Sequence, residues 1–434
     1  MDLQRSLLIG AIAVLSFMLL TEWVAFKDDK TQSEDAQTTR LITNADAEPS
    51  VIPQLETATV ATTNEDLPTA PETATSTPTP DAKAVNSSRI VLVRTDSLQL
   101  AIDLQGGDII ELALPRHLEK IDNPDIPFVL LEQNEKRTYI AQSGLIGSNG
   151  IDSTGRATFT TSSDSYEMAE GQENLVVELN WESDGDVKVT KRFTFTRGDY
   201  LIEVEYLVEN NSDSRWQANL FGQIKRDSTP APSSSDSGMG MQPFLGAAIT
   251  QPDERFTKFS FEDMQEEPFK AQLPGGWIAM LQHYFLSAWI PNKDQSHNYS
   301  TRVTSSGFNI AGFTSPALNL DPGQSGQTGA LFYAGPKDQY RLAEISPYLD
   351  LVVDYGWLWW IAQPLFWLLN KMFALVGNWG MAIILLTVLV KAAFFKLSAT
   401  SYRSMARMRK VQPKMMDIRE QYADDKQKQS QAMM

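Results

Sequence analysis

The sequence contains no cysteine and only three histidines, His117, His283 and His297. The chain therefore has no disulfide, no thiolate metal site and no cysteine nucleophile. The histidines lie far apart and lack the spacing of metal ligands, so each is interpreted as a surface or strand residue. No G-x-x-x-x-G-K-[ST] loop occurs, and the glycine pair at 106–107 lacks a dinucleotide fingerprint. We expect no metal, no cofactor and no nucleotide.

Basic residues are scarce over most of the chain and concentrated at its end. The formal net charge is -17. Residues 398–434 nevertheless carry eight Lys or Arg against four acids, whereas the rest carries 29 basic and 50 acidic residues. This asymmetry indicates regions in different compartments, and the acidity of the larger part argues against nucleic acid as a partner.

Residues 6–26 form an apolar run long enough to cross the ~30 Å hydrocarbon core of a membrane. The alternative is a cleaved signal peptide, but the run is long and the nearest A-x-A, at 45–47, lies too far downstream. We predict a cytoplasmic N-terminus at 1–5 and an uncleaved transmembrane anchor at 6–26. Residues 27–88 are rich in Thr, Ala, Pro and acids, which predicts a disordered periplasmic tether.

From residue 89 the apolar residues follow period two. They alternate between Leu98 and Leu104, ahead of a turn at the glycine pair 106–107. A hairpin is predicted for 187–208, with one apolar face, one acidic face and a turn at 197–199. Strands and turns of this kind recur to about residue 335. We predict a periplasmic antiparallel β-sandwich domain at 89–345, with residues 336–350 helical.

Five tryptophans, which favour the membrane interface, crowd the stretch that follows: Trp357, Trp359, Trp360, Trp367 and Trp379. Gly356, Pro364 and Lys371 interrupt this stretch. If only 378–397 crosses the bilayer here, the basic end lies in the cytoplasm, as the positive-inside rule requires. We therefore predict a linker and interfacial helix at 346–377, a transmembrane helix at 378–397 and a cytoplasmic basic segment at 398–434.

Lys391 lies inside the predicted span 378–397, after twelve uncharged residues. It could extend its long side chain to the cytoplasmic headgroups. An intramembrane salt bridge is a second alternative, but neither predicted span contains a central acid. The functional interpretation is a cation lining a water-filled cavity in a helix bundle. The residues alone leave the structural and functional interpretations open.

The basic segment carries an apolar stripe, spaced by three and four residues from Tyr402 to Tyr422, opposite a basic face. Pro413 is expected to interrupt it as the first residue of a new helix. The stripe either packs on a partner helix or the bilayer, which the sequence alone favours, or forms an adaptable Met-rich surface for apolar clients.

Several stretches together resemble the YidC/Oxa/Alb family of membrane protein insertases in its Gram-negative form. They are GGWIAMLQHYFLSAWIP (275–291), DLVVDYGWLWWIAQPLF (350–366), GNWGMAIILLTVLVK (377–391), SMARMRKVQPKM (404–415) and DDKQKQSQAMM (424–434). The resemblance covers nearly the whole chain. It implies a mixed fold: an N-terminal transmembrane anchor, a periplasmic β-supersandwich of the sugar-mutarotase type, and an interfacial, a transmembrane and a cytoplasmic amphipathic helix of an α-helical membrane core.

The resemblance also implies a function in the bacterial inner membrane. Such proteins insert newly made membrane proteins, alone or beside the Sec translocon and its accessory subunits, without nucleotide hydrolysis. Their clients enter a hydrophilic groove with a positive residue, usually arginine. Lys391 stands at that position and keeps the charge without the bidentate fork. Expected partners are nascent membrane proteins, the ribosome and lipid, and the expected cytoplasmic client or ribosome contacts are Arg403, Arg407, Arg409, Lys410 and Lys414.

Two other classes of function remain as alternatives. One is a membrane-anchored carbohydrate-binding or epimerase domain, although such an enzyme needs an acid and a base paired in a cleft, and no convincing pair stands out. The other is a passive envelope scaffold. Family members have further spans after a cytoplasmic helical hairpin, whereas this sequence stops at Met434. We therefore expect it to be truncated.

Overall fold

The structure is a computed structural model that describes residues 66–68, 89–119, 123, 126–183, 186–229, 244–252 and 254–421. The predicted anchor at 6–26, most of the predicted tether at 27–88 and the end of the basic segment at 422–434 lie outside the described residues. The described part consists of two stacked β-sheets followed by helices.

The larger sheet has ten strands among the described residues. Its spatial order is β13-β16-β17-β10-β5-β4-β3-β2-β1-β6. The strands span Ile90–Arg94 (β1), Gln99–Asp103 (β2), Asp108–Leu118 (β3), Pro127–Gln133 (β4), Thr138–Ile146 (β5), Ser165–Glu167 (β6), Trp216–Arg226 (β10), Lys270–Pro274 (β13), Ser296–Val303 (β16) and Asn309–Leu320 (β17).

The second sheet has eight strands among the residues described. Its spatial order is β12-β11-β14-β15-β18-β9-β8-β7. The strands span Asn174–Glu182 (β7), Val187–Thr196 (β8), Leu201–Asn210 (β9), Gly246–Ile249 (β11), Thr257–Ser260 (β12), Ile278–Leu281 (β14), Phe285–Pro291 (β15) and Ser325–Pro336 (β18).

The hydrophobic core lies between the sheets and takes side chains from both, such as Ile102 and Leu112 from one and Val204 and Phe332 from the other. Alternating burial in β8 and β9 confirms the predicted hairpin with one apolar face. The predicted sandwich is confirmed with one difference: β1 and β6 pair in parallel. This pairing joins strands distant in sequence, and no local pattern signals it.

Two short helices accompany the sandwich. Helix α1, Phe261–Glu266, begins with a capping box in which Ser260 and Asp263 exchange hydrogen bonds. Helix α2, Gln339–Ile345, is capped by Asp338. The helix predicted over 336–350 is therefore shorter than expected: Pro336 ends β18, and a 3-10 turn at Leu349–Val352 follows Pro347. Proline disfavours a helical conformation of the residue before it, which separates the two pieces.

Two longer helices end the described chain: α3, Trp359–Val376, and α4, Trp379–Gln421. The break expected at Pro413 is wrong, because α4 runs through it as a single helix of 43 residues. The helix also continues across the predicted end of the membrane span between residues 397 and 398, and that membrane boundary stays a prediction. A proline removes one backbone hydrogen bond, and the strong helix formers around it, Met, Arg, Lys and Ala, support the helix on both sides.

Candidate functional site

The segment between the sandwich and α3 is packed on the eight-stranded sheet. Leu349 and Val352 are buried in a cluster with Trp277, whose indole nitrogen donates to the Pro347 carbonyl at 3.2 Å. Lys258 of β12 pairs with Asp354 at 2.6 Å. Burial lowers the pKa of the nearby Lys337 to about 8. These contacts fix the point at which the chain leaves the sandwich, so α3 starts from a defined place.

A tight junction links α3 to α4. Gly377 adopts φ 66°, and its N–H donates to the Phe373 carbonyl at 2.7 Å. Glycine suits this left-handed C-terminal position because it has no Cβ. The Asn378 side chain then accepts from Met381 N at 3.1 Å, and the rings of Trp379 and Phe373 stack at 3.9 Å. The sequence VGNWG thus carries both the end of one helix and the start of the next.

All five predicted interface tryptophans are exposed, from 48% at Trp379 to 83% at Trp357. A group of exposed tryptophans is unusual in a segment that faces only water, so this part of the chain suits a membrane boundary. The ammonium of Lys371 lies 5.8 Å from the Trp367 ring centroid, which places a cation beside the aromatic side chains. The role of these tryptophans as anchors stays a prediction.

Among the described helices, one is long and apolar enough to cross a membrane, over Trp379–Asp417 in α4. Lys391 lies on this helix, about 18 Å along its axis from Trp379. Its side chain is exposed, and it takes part in none of the ion pairs found among the described residues. The described residues thus place Lys391 on an exposed helix face and bring no wall of a groove to it.

The basic residues continue along the same helix. Arg403, Arg407 and Lys410 are exposed, and their spacing of four and three residues places them on one face, whose periodicity Lys414 continues. Arg409 lies on another face of α4 and is also exposed. Exposed apolar side chains of the predicted stripe are Tyr402, Met405, Met408, Val411 and Met415. The structure therefore keeps the two-sided helix that the sequence predicts.

The histidines do not assemble into a site. His117 in β3 contacts the Tyr200 hydroxyl at 3.0 Å, and burial lowers its pKa. His297 in β16 is buried between Ser315 and the Asn292 carbonyl, and burial lowers its pKa as well. The interpretation as surface or strand residues is confirmed for these two. Among the described residues no group of His, Asp and Glu forms a candidate metal site, and the expected lack of a cofactor stays a prediction.

A buried charged cluster that the sequence did not predict lies in the sandwich domain. Lys191 is fully buried, and its ammonium donates to three backbone carbonyls, those of Gly106, Gly107 and Ser143. Next to it, Arg156 pairs with Asp108 and, at 3.0 Å, with Asp152. The available signal was the strand period, since Lys191 occupies an inward position of β8 between Val189 and Phe193.

Comparison with known proteins decides the family. The model for the YidC periplasmic domain matches residues 90–368, and the model for the 60Kd inner membrane protein matches residues 371–434. The membrane protein insertase YidC of Cellvibrio japonicus is 48% identical over 436 residues, covering 100% of this chain and 76% of the relative. The chain belongs to the YidC family of membrane protein insertases. The YidC of Pseudomonas aeruginosa is 45% identical over 457 residues, covering 100% of this chain and 77% of the relative.

Similarity to solved structures is weaker. A crystal structure of an active YidC insertase, with its first transmembrane domain resolved, has a TM-score of 0.32 and 14% identity, covering 76% of this chain and 60% of that chain. A galactose mutarotase related enzyme from Lactobacillus acidophilus has a TM-score of 0.38 and 12% identity, covering 56% of this chain and 97% of that one. Similarity at this level carries no argument about activity. Membership of the YidC family rests on the sequence identity.

Proposed function

We propose that this chain inserts newly made proteins into the inner membrane, and that Lys391 supplies the positive charge of a hydrated groove used by the client. The observation that supports this most directly is a lysine on the one described helix suited to span a bilayer. A charged side chain in such a stretch is unfavourable by at least about 2.5–3.5 kcal/mol near a helix centre. A function that needs the charge explains why the lysine occurs there.

The physical role follows from the surroundings of the charge. A cation in a recess of low dielectric constant attracts an acidic client segment more strongly than the same cation in water. A hydrated recess also shortens the apolar path that polar client residues must cross. Lysine holds a carboxylate as a point charge, without the two parallel hydrogen bonds of arginine. We therefore expect weaker retention of acidic client segments than with arginine at this position.

The arrangement in the membrane is part of the proposal. The sandwich lies in the periplasm, α3 lies in the interface with its exposed tryptophans at headgroup level, and the first part of α4 crosses the bilayer. The 43 residues of α4 extend roughly 64 Å, about twice the hydrocarbon thickness. The basic half of the helix therefore projects into the cytoplasm, in agreement with the positive-inside rule. The N-terminus is cytoplasmic in this arrangement.

The basic face of α4 is the proposed cytoplasmic contact surface. Arg403, Arg407 and Lys410, with Arg409 and Lys414 nearby, suit phosphate-rich ribosomal RNA or acidic client segments by charge. We include the ribosome and the Sec translocon as partners on the family resemblance. We assign no catalytic reaction to the sandwich. Its His117 contacts the Tyr200 hydroxyl, and its His297 is held between Ser315 and the Asn292 carbonyl.

The test is the replacement Lys391→Leu in the complete gene, expressed in cells from which the unmodified insertase has been depleted. We expect growth and the insertion of at least some clients to fall, most strongly for clients with acidic translocated segments. Lys391→Arg should restore insertion, since it keeps the charge. Insertion is measured by protease protection of a pulse-labelled client.

The matched control is Lys396→Leu, a lysine that is also exposed on α4, five residues further along. This variant should insert clients as the parent does. Normal insertion by Lys391→Leu, at a normal protein level, would mean that Lys391 only reaches the headgroups and that the groove proposal is wrong.

A further inference from the structure

Three residues of the predicted tether, Asp66–Pro68, are described together with the sandwich, and Asp66 bonds to the ten-stranded sheet. Its carboxylate accepts from Lys225 Nζ at 2.6 Å. Its backbone carbonyl accepts from Gln223 Nε2 at 2.6 Å and from Arg302 Nη2 at 3.0 Å. Three donors from two strands, β10 and β16, thus converge on one residue of a segment that the sequence predicts to be unstructured.

The three donors lie on the sheet face that points away from the second sheet. Lys225 is paired with Ile310, which is paired with Arg302, so these side chains share a face. Gln223 is two residues from Lys225 and shares that face. Ile224 between them belongs to the core, which confirms that the donors face outward.

The glycine opposite Gln223 makes room for its side chain. Gly312 is its partner on β17, and a Cβ at Gly312 would lie 2.6 Å from the Gln223 Cβ. Without this clash the Gln223 side chain extends over the sheet, where it meets Arg302 and Asp66. Two sheet residues, Arg302 and Gln142, and one tether residue, Asp66, thus contact the Gln223 amide.

The orientation of that amide is set from both ends. Arg302 donates to Gln223 Oε1 at 2.9 Å, and arginine has only donors. Gln223 Nε2 donates to Gln142 Oε1 at 3.0 Å, and Gln142 Nε2 donates to Asp108 Oδ2 at 2.9 Å. Arg302 lies at one end of this chain of hydrogen bonds and the Asp108 carboxylate at the other, so the Gln223 and Gln142 amides have the same orientation. Gln223 therefore presents a donor, not an acceptor, to whatever lies above it.

The site consequently selects its occupant by chemistry. It offers one amide N–H, one guanidinium and one ammonium, so it fits a residue with a carboxylate and a free backbone carbonyl. Lys225 is only 12% exposed and the Asp66 side chain 27%, so the ion pair is largely removed from water. Burial lowers the pKa of Arg302, and the Asp66 carboxylate counteracts this effect.

We propose that Lys225, Gln223 and Arg302 form a docking site for an acidic peptide segment, which the chain's own Asp66-Leu67-Pro68 occupies. The tether is then attached to the sandwich at an internal point, well before the sandwich begins at residue 89. Along the chain, 39 residues (27–65) separate the predicted span from the docking site, and 20 residues (69–88) separate the site from the start of the sandwich.

Because the chain has no cysteine, thiol labelling tests this proposal in the intact, detergent-solubilised protein. Leu67→Cys places the one thiol next to Asp66. Its rate of reaction with a neutral maleimide is divided by the rate in the urea-unfolded chain, which removes differences in intrinsic reactivity. We expect Lys225→Glu, which turns the attraction into repulsion, to raise this ratio about tenfold, the effect of roughly 1.4 kcal/mol on the docked fraction.

Two further variants test whether the change in the ratio is specific to the contact between Asp66 and Lys225. Asp66→Asn weakens the contact from the tether side, where no residue of the sandwich changes, and should also raise the ratio. Lys270→Glu changes an exposed lysine of β13 in the same sheet and should leave the ratio within about twofold, because rim charges contribute little. A Leu67→Cys thiol that reacts as fast as the unfolded chain, or a ratio unchanged by both Lys225→Glu and Asp66→Asn, would overturn the docking site.

Discussion

Replacing Lys191 by methionine should change how the stability of the sandwich depends on pH. The ammonium of Lys191 is enclosed between the sheets, with the ring centroids of Phe193 and Tyr206 each 5.2 Å away. Burial lowers its pKa from 10.5 to about 7, although Asp108 opposes this by favouring the charged form. Methionine keeps the length and apolar character of the side chain and removes the titrating group.

The sign and size follow from proton linkage. Between about pH 7 and 10.5 the unfolded chain holds a proton on Lys191 that the folded chain has lost, so the free energy of unfolding rises with pH in this window. Each unit of pH contributes up to about 1.4 kcal/mol, and less near pH 7, where the folded group is half titrated. From pH 7 to pH 9 the parent should therefore gain about 2 kcal/mol relative to Lys191→Met.

The assay needs a signal from the sandwich alone, since the exposed tryptophans of the helical region complicate fluorescence. Ala288→Cys introduces a single buried thiol in β15, and its protection from pulse labelling reports the folded fraction during urea unfolding. The parent and the Lys191→Met variant both carry Ala288→Cys. Unfolding free energies of the parent and of Lys191→Met that run parallel from pH 7 to pH 9 would refute a lowered pKa at Lys191.

Two other predictions concern the same domain and use the same unfolding measurement. Asp152→Asn should lower the free energy of unfolding by about 3 kcal/mol, because the buried carboxylate accepts from two backbone N–H groups and pairs with Arg156. The control Glu182→Gln, which changes an exposed carboxylate, should change this free energy by under about 0.5 kcal/mol. Equal effects of the two replacements would contradict the prediction. Gly222→Ala should lower it by about 1–3 kcal/mol, since its Cβ would lie 2.5 Å from Phe313. Adding Phe313→Leu should recover part of that loss, and no recovery would mean that the cause is not overpacking.

Local pattern predicted the β-architecture well where strands alternate cleanly. The hairpin of β8 and β9 is the clearest case, because apolar and acidic residues alternate on both sides of a short turn. The amphipathic character of α4 was also predictable from spacings of three and four. The shorter α2 was not predicted, although Pro336 and Pro347 lie outside its two ends. The uninterrupted α4 was not predicted either, because Pro413 signals a local preference that neighbouring hydrogen bonds override.

The functional residues also fall into two groups, those that the sequence predicted and those that it did not. The sequence predicted Lys391, the exposed tryptophans and the basic face as residues of one helical region, because each depends on near neighbours in the chain. The sequence did not predict the docking of Asp66, because the donors come from β10 and β16, which lie far along the chain. A short acidic stretch in a Pro- and Thr-rich segment has the composition of an unstructured linker whether or not a partner surface exists.

The sequence by itself determined the class of each segment: a β-sandwich domain, an apolar helix with an internal lysine, and a basic amphipathic end. Hydrophobic periodicity, composition and family resemblance are properties of neighbouring residues along the chain, so they are recognised without coordinates. Only the tertiary structure decided which charges are buried together and which strand edges meet. Lys191 and Arg156 share the carbonyls of Gly106 and Ser143 because β8 of one sheet packs over the start of β3 in the other. Contacts of this kind join residues distant in sequence, and their free energy depends on burial that arises only when the sheets close.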